Sequence, residues 1–203
     1  MPISFIGPAA ADDHALPVHA SLYRSHGFDR ILLASEALPP VATRVQIGLL
    51  VDDASGWGDE ERIARYGRIG SDGEGASAAD LLLVPPGPLK QVAQTVRLAR
   101  RTAAHRGRYP GFLIAVTPVL GATEAAASQR AAGVAVDSDT LPLIGTPEQI
   151  ARALMDFYDI GIEHILLRGS HPEQDAAEWG RDLIPLMRRK VAQRDGMLAM
   201  LAG

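Results

Sequence analysis

The chain has 203 residues, 47% hydrophobic and 22% charged, a length and balance that describe one ordinary globular domain with ample material for a core. Its net charge of -4, with no basic face standing out beyond the C-terminal helix end, argues against nucleic acid as a partner. The absence of cysteine excludes a disulfide framework, a thiolate nucleophile and cysteine-bound zinc; residues 1–7 carry no charged leader, and no apolar run approaches the roughly 18–20 residues of a membrane span, so a cytoplasmic protein is expected.

In chain order, residues 3–6 read as a short strand, and 14–26 follow a helical pattern through Leu16, His19, Ala20, Leu22 and Tyr23 until Ser25-His26-Gly27 stops it. Strands follow at 30–33 and 45–51. Pro39-Pro40 lies between them, with little room for the crossover of about a dozen residues that a parallel pair needs. Residues 52–65 are polar, contain Trp57 and lead into one or two helical turns; 66–69 is a fourth strand, 70–79 a glycine-rich loop and 81–84 a fifth strand. Residues 88–106 form a helix with Leu89, Val92, Val96, Ala99 and Ala103 on one face and basic residues on the other. A sixth strand at 112–119 precedes a helix at 123–132 and a connector at 135–143 that carries Asp137 and Asp139.

Residues 144–191 compose a helix–strand–helix unit. Thr146 is placed as an N-cap, Pro147 at the first helical position and Glu148 in the first turn, after which Ile150, Leu154 and Phe157 recur at helical spacing until Gly161 ends the helix. The strand at 162–167 is apolar enough to be a parallel strand covered on its outer face. His171-Pro172-Glu173 opens the next helix, whose stripe is Trp179, Leu183, Ile184, Met187 and Val191; Pro185 is expected to kink it.

This unit resembles the C-terminal end of the bacterial luciferase-like flavin monooxygenases, most of all their alkanesulfonate monooxygenase branch. The likeness is carried by Gly145-Thr146-Pro147-Glu148, residues 158–162, Arg168-Gly169, Asp175-Ala176 and Leu183-Ile184-Pro185-Leu186. A second stretch follows in the same order through Gly70-Ser71, Ala79-Asp80-Leu81-Leu82-Leu83, residues 86–108 and 112–123, and Thr123-Glu124-Ala125-Ala126, so that the two together span more than half the chain. The resemblance implies an α/β fold, a TIM-barrel-like (β/α) barrel contracted to about seven strands, with an open or distorted barrel as the alternative; 203 residues is at the low end for such barrels. It also implies FMN or a deazaflavin as cofactor, a small organic substrate of which a sulfonate is one form, a separate flavin reductase, and no membrane. A homodimer or larger assembly is expected, because the shortened segment 34–43 would otherwise leave apolar strand surface uncovered.

Barrel sites lie just beyond the C-terminal strand ends. There Gly70-Ser71-Asp72-Gly73 offers bare backbone N–H groups of the kind that approach a phosphate, and the family places its flavin phosphate near a comparable Gly-Ser element. Against this, Asp72 and Glu74 repel a phosphate and the loop holds no lysine or arginine, which leaves a plain loop as the other reading. Arg168, where the family directs a residue into the pocket, can take an anionic substrate head in a bidentate contact, or else pair with Glu148 or Asp175 at the rim. His171 is a candidate general base or a solvated cap residue, and His14 corresponds to an active-site histidine of the family. Ser170 stands where many relatives carry an aromatic residue, Asp59-Glu60-Glu61-Arg62 keeps an arginine but no histidine, and the family's cysteine is missing. The six histidines lack metal-ligand spacing. Two functions follow: a flavin-dependent oxidoreductase or monooxygenase, and a catalytically degenerate relative that binds flavin or serves as a partner subunit without turnover.

Overall fold

The computed structural model describes residues 3–8, 22–23, 25–34, 48–51, 63–68 and 80–202. Among them run eight strands: β1 (Ser4–Pro8), β2 (Arg30–Ala34), β3 (Gly48–Val51), β4 (Ile63–Arg68), β5 (Leu81–Val84), β6 (Gly111–Leu120), β7 (Leu141–Gly145) and β8 (His164–Leu167). The helices are α1 (Leu89–Ala104), α2 (Glu124–Ala131), α3 (Pro147–Asp159), α4 (Pro172–Glu178) and α5 (Ile184–Ala202), with one π-helical turn (Trp179–Leu183) joining the last two. Of the expected helix at 14–26, Leu22, Tyr23 and Ser25 are helical, His26 is in the turn that ends it, and the rest lies outside the described residues, as do the expected loop at 70–79 and most of segment 34–43. Of the stretch 52–65 expected to lead into helical turns, 52–62 lies outside them and 63–65 belong to β4 instead.

The chain is mixed α/β, and its strands form one sheet in the order β5-β4-β3-β2-β1-β8-β6-β7, with β5 also paired to β6. Six of these pairings have both strands in β5, β6, β7, β8, β1 and β2 or join β4 to β5, and all of them are parallel. β3 differs: it runs antiparallel to both β2 and β4. Its direction explains the cramped β2–β3 link, because an antiparallel neighbour needs no crossover helix. The long strand β6 organises the sheet. Its first half pairs with β5 and its second half with β7, while β8 pairs along its middle; Val116 is opposite both Leu141 and Leu167, which puts β7 and β8 on opposite edges.

The strand β7 falls within and just after the stretch read as connector, so eight strands are described where seven were expected. Pro142 and Gly145 are residues that ordinarily punctuate a strand. Yet Leu141 and Leu143 pack against the core while Pro142 and Ile144 are exposed, the period-two alternation of an edge strand. The helix–strand–helix unit forms as the sequence implies. Thr146 and Gln149 cap α3 reciprocally, Thr146 N–H donating to Gln149 Oε1 at 2.8 Å and Gln149 N–H to Thr146 Oγ1 at 3.3 Å. At the other end Gly161, at φ +93°, lets its own N–H reach the Tyr158 carbonyl and that of Ile162 reach Phe157, which satisfies two terminal carbonyls.

The helix after β8 does not simply kink at Pro185. An α register would bring the proline ring against the Arg181 carbonyl, with no N–H to offer it. The chain instead widens to a π turn in which Ile184 N–H bonds to the Trp179 carbonyl. Gly180, within that turn, packs so tightly on the His26 backbone that any Cβ would collide with it.

Alternating strand positions separate two cores. Phe5, Leu82, Val84, Phe112, Ile114, Val116, Ile165 and Leu167 join the helices in the larger one, with Val92, Val96, Leu154 and Trp179 all buried. Ile6, Leu81, Leu83, Leu113, Ala115 and Leu166 form a smaller one on the opposite face of the sheet. No helix among the described residues is long and apolar enough to cross a membrane.

Candidate functional site

A cavity of about 590 Å³ opens beyond the C-terminal ends of β6 and β8. That volume falls in the range of small-molecule sites, and parallel strand ends are where α/β folds place them. One wall is Thr117, Pro118 and Val119 of β6; another is Arg130, Gly133 and Val134 at the end of α2; the third is Gly169, Ser170 and His171 after β8, with Gln174, Asp175, Ala177, Glu178 and Arg181 from the helix beyond.

Each wall is fixed by a specific contact. Arg130 donates to Glu178 through both terminal nitrogens, at 2.7 and 3.0 Å, and to the Leu120 carbonyl at 2.5 Å, tying α2 to α4 across the strand end. The bond to Glu178 raises the arginine's pKa further, so its charge is permanent. The fully buried Trp179 donates Nε1–H to the Pro118 carbonyl at 3.3 Å, and its ring lies against Gly169, where a Cβ would strike both the indole and Asp175. Beneath the cavity, the buried hydroxyls of Thr117 and Thr140 meet at 2.9 Å, and Thr140 Oγ1 also approaches the Asp137 carbonyl at 3.0 Å.

Of the site residues drawn from the sequence, His171 and its neighbours Gly169 and Ser170 line the cavity. His171 stands at the N-cap of α4, yet its imidazole makes no capping bond; its backbone N–H donates to Asp175 Oδ2 at 2.9 Å. Arg168 sits at the end of β8, its N–H bonded to the Val116 carbonyl at 2.9 Å. Its guanidinium pairs with Asp137 at 3.1 Å, and neither expected partner takes it, since Glu148 pairs with Lys190 and Asp175 is turned to His171. His14 and the loop Gly70, Ser71, Asp72, Gly73 lie outside the described residues. The Arg130–Glu178 clamp was not anticipated, because its members are 48 residues apart and share no local pattern. Among the described residues no group of three or more His, Cys, Asp or Glu is placed to hold a metal. The wall therefore offers hydrogen-bonding groups and paired charges around an apolar patch of Pro118, Val119 and Val134: a surface for binding and orienting a ligand.

Tyr23 supports this region from below β1. Its ring packs against Gly7 and meets Phe28 edge-on at 4.9 Å. Burial, with the negative charge of Asp175 second, pushes its hydroxyl up to about 12 from an ordinary value of about 10. The folded chain thus holds the phenol proton more tightly than the unfolded chain. Its stabilisation is complete below pH 10 and is lost as pH rises through 12, roughly 2–3 kcal/mol over that window. Alkaline unfolding followed by circular dichroism should be shallower between pH 10 and 12 in Tyr23→Phe than in the wild type, with a residual slope from Tyr158, also pushed up to about 12. Superimposable curves would refute the assignment.

No protein-family model matches the chain, and no curated protein matches it. Solved structures do share its fold. A riboflavin lyase, RcaE, solved with a modified FMN and its substrate riboflavin, aligns over 90% of this chain and 59% of its own, at a TM-score of 0.55 and 14% identity. DmoA from Hyphomicrobium sulfonivorans aligns over 62% of this chain and 41% of its own, with a TM-score of 0.54 and 14% identity. The monooxygenase RslO1 from Streptomyces bottropensis aligns over 89% and 67%, with a TM-score of 0.50 and 16% identity. The chain spans 59% and 41% of the length of the first two.

Proposed function

We propose that the chain is a contracted luciferase-type barrel that binds a flavin, FMN or a deazaflavin, and serves flavin-dependent oxidation of a small organic substrate. The observation that supports this most is the cavity at the ends of β6 and β8, in a fold shared across 90% of the chain with an enzyme solved with a modified FMN. The residues present suit such a ligand. Pro118, Val119 and Val134 give apolar surface for a ring, and Ser170, His171, Gln174 and Arg181 give polar groups at its edge. Reduced FMN, when bound, would supply the electrons that reduce dioxygen, and a reduced deazaflavin would supply a hydride instead.

The chain's own contribution is to bind, orient and exclude water. Arg130 and Glu178 hold the α2 and α4 walls together, and Trp179 fixes Pro118 against Gly169. His171, at the rim, is the residue to hold or move a proton. Arg168 does not itself line the cavity; in this proposal it would orient an anionic substrate group at the strand end beside Gly169 once that group displaces Asp137. His14 and the phosphate loop Gly70-Ser71-Asp72-Gly73, outside the described residues, belong to the proposed site, and phosphate binding there would require the loop to present N–H groups and to turn Asp72 and Glu74 outward. A reductase delivering reduced flavin and an assembly of two or more copies belong to the same proposal. The alkanesulfonate branch rests on the sequence motifs alone, so the substrate is left at the level of a small organic molecule.

Titration with FMN and with riboflavin, followed by absorbance and protein fluorescence, tests it. FMN should bind at least tenfold more tightly than riboflavin, about 1.4 kcal/mol. Ser71→Glu should erase that preference, and Val134→Trp, which fills the cavity, should weaken both ligands. Equal weak binding of the two, or none, would overturn the proposal.

A further inference from the structure

Between Asp80 and Glu124 the sequence has no acidic residue, while six of the chain's 20 lysines and arginines fall there: Lys90, Arg97, Arg100, Arg101, Arg106 and Arg108. Four of them are on α1, two just after it. The helix buries Val92, Val96, Ala99 and Ala103 and turns Lys90, Gln94, Arg97, Leu98 and Arg101 to solvent as one stripe. A basic face therefore does stand out, in a chain whose net charge is negative.

An ordinary solvated helix mixes both signs of charge and gains from pairs three or four residues apart. α1 does the reverse. Arg97 and Arg101 are like charges at that spacing, the first turn holds Lys90 and no acid, and no side chain caps the N-terminus. None of Lys90, Arg97, Arg101 or Arg106 makes an ion pair among the described residues; the neighbouring Arg108 reaches Asp80 at 3.6 Å, and Arg100 lies over the Phe112 ring at 5.3 Å. In the middle of the stripe Leu98 is 50% exposed, and Tyr109, just past the helix, is 84% exposed. The helix thus carries uncompensated positive charge around exposed apolar groups, an arrangement that weakens the isolated helix.

We infer that the outer face of α1 docks a partner protein whose surface carries carboxylates around an apolar centre. The apolar groups set among the cations favour a protein over other polyanions: exposed Leu98 and Tyr109 match a partner surface with an apolar centre, which a nucleic-acid backbone does not offer, and tyrosine and arginine are enriched in protein interfaces. Arginine also forms bidentate pairs with carboxylates, and Leu98 supplies an apolar anchor. A second copy meeting the same face would set arginine against arginine. No residue of α1 lines the cavity, so the surface is separate from the proposed flavin site and does not depend on that proposal.

The test uses the full chain and a synthetic peptide of glutamates interspersed with leucine and phenylalanine, with its glutamine counterpart as control, read by fluorescence anisotropy. The acidic peptide should bind, weaken as salt rises from 50 to 500 mM, and lose at least tenfold in affinity with Arg97→Glu/Arg101→Glu. Both side chains are exposed, so the variant should keep the wild-type circular dichroism spectrum and melting temperature. Arg152→Glu, a charge reversal on α3, should leave the affinity within twofold. Equal binding of the glutamine peptide, indifference to the double variant, or tighter binding of duplex DNA or phosphatidylserine vesicles would overturn the inference. So would light scattering in which the double variant dissolves a self-assembled form, since that would assign the face to a second copy.

Discussion

Trp179→Ala is expected to destabilise the chain by about 3–5 kcal/mol, enough to unfold much of it at moderate temperature. The indole is 1% exposed and is the largest fully buried side chain among the described residues. It starts the π turn, lies on Gly169 and donates to the Pro118 carbonyl, so its loss opens a void beneath the cavity and frees two of its walls together. Trp179→Phe separates the two effects. The phenyl ring restores most of the packing but not the N–H, and should cost much less, of the order of one lost hydrogen bond, about 0.5–1.5 kcal/mol, plus the smaller volume. Urea unfolding of the two variants measures both. If Trp179→Ala lost no more than Trp179→Phe, the indole would not be the wedge described here.

The parts of the fold that local chemistry encodes were legible in the sequence. Thr146, Pro147 and Gln149 start α3 and Gly161 stops it, because capping and left-handed backbone are properties of a few adjacent residues. Val92, Val96, Ala99 and Ala103 of α1 and the stripe Trp179, Leu183, Ile184, Met187 and Val191 follow from helical period alone and are buried, whereas Leu89, read on the same face of α1, is exposed at the first turn. What escaped depends on partners distant in sequence. The direction of β3 is set by its neighbours β2 and β4, and only the short β2–β3 link hinted at it. β7 gains strand structure from five residues of β6, despite Pro142. Pro185 signalled a disturbance in the last helix, but its form, a π turn, goes with Gly180 seating on the His26 backbone.

The site divides along the same line. His171 could be placed at a helix start after β8 from His-Pro-Glu alone, and the cavity lies there. The partner of Arg168 could not, because Asp137 is 31 residues away in a connector with no period of its own. The sequence showed a basic side to the 88–106 helix, yet the net charge of -4 masked it, since the acids that balance it lie elsewhere in the chain.

Leu154→Ala should cost roughly 2–5 kcal/mol, the usual range for deleting a buried leucine side chain. Leu154 is 0% exposed, on the face of α3 that also buries Ile150, Ala151, Phe157 and Tyr158, and it belongs to the large core with Val116, Trp179 and Met187. The helix is well fixed at both ends, by the Thr146–Gln149 cap and the Gly161 turn, so it has little freedom to slide inward and fill the gap. That rigidity sets the expectation above the lower limit of the range, because the cost grows with the volume that fails to collapse. Arg152→Ala, on the exposed side of the same helix, should shift stability by less than about 0.5 kcal/mol and isolates burial from helix propensity. Chemical unfolding in urea, with unchanged slope, measures the difference. A loss below about 0.5 kcal/mol for Leu154→Ala would mean that this face of α3 is open to solvent, and the helix–strand–helix unit on which the sheet and cavity are built would have to be rearranged.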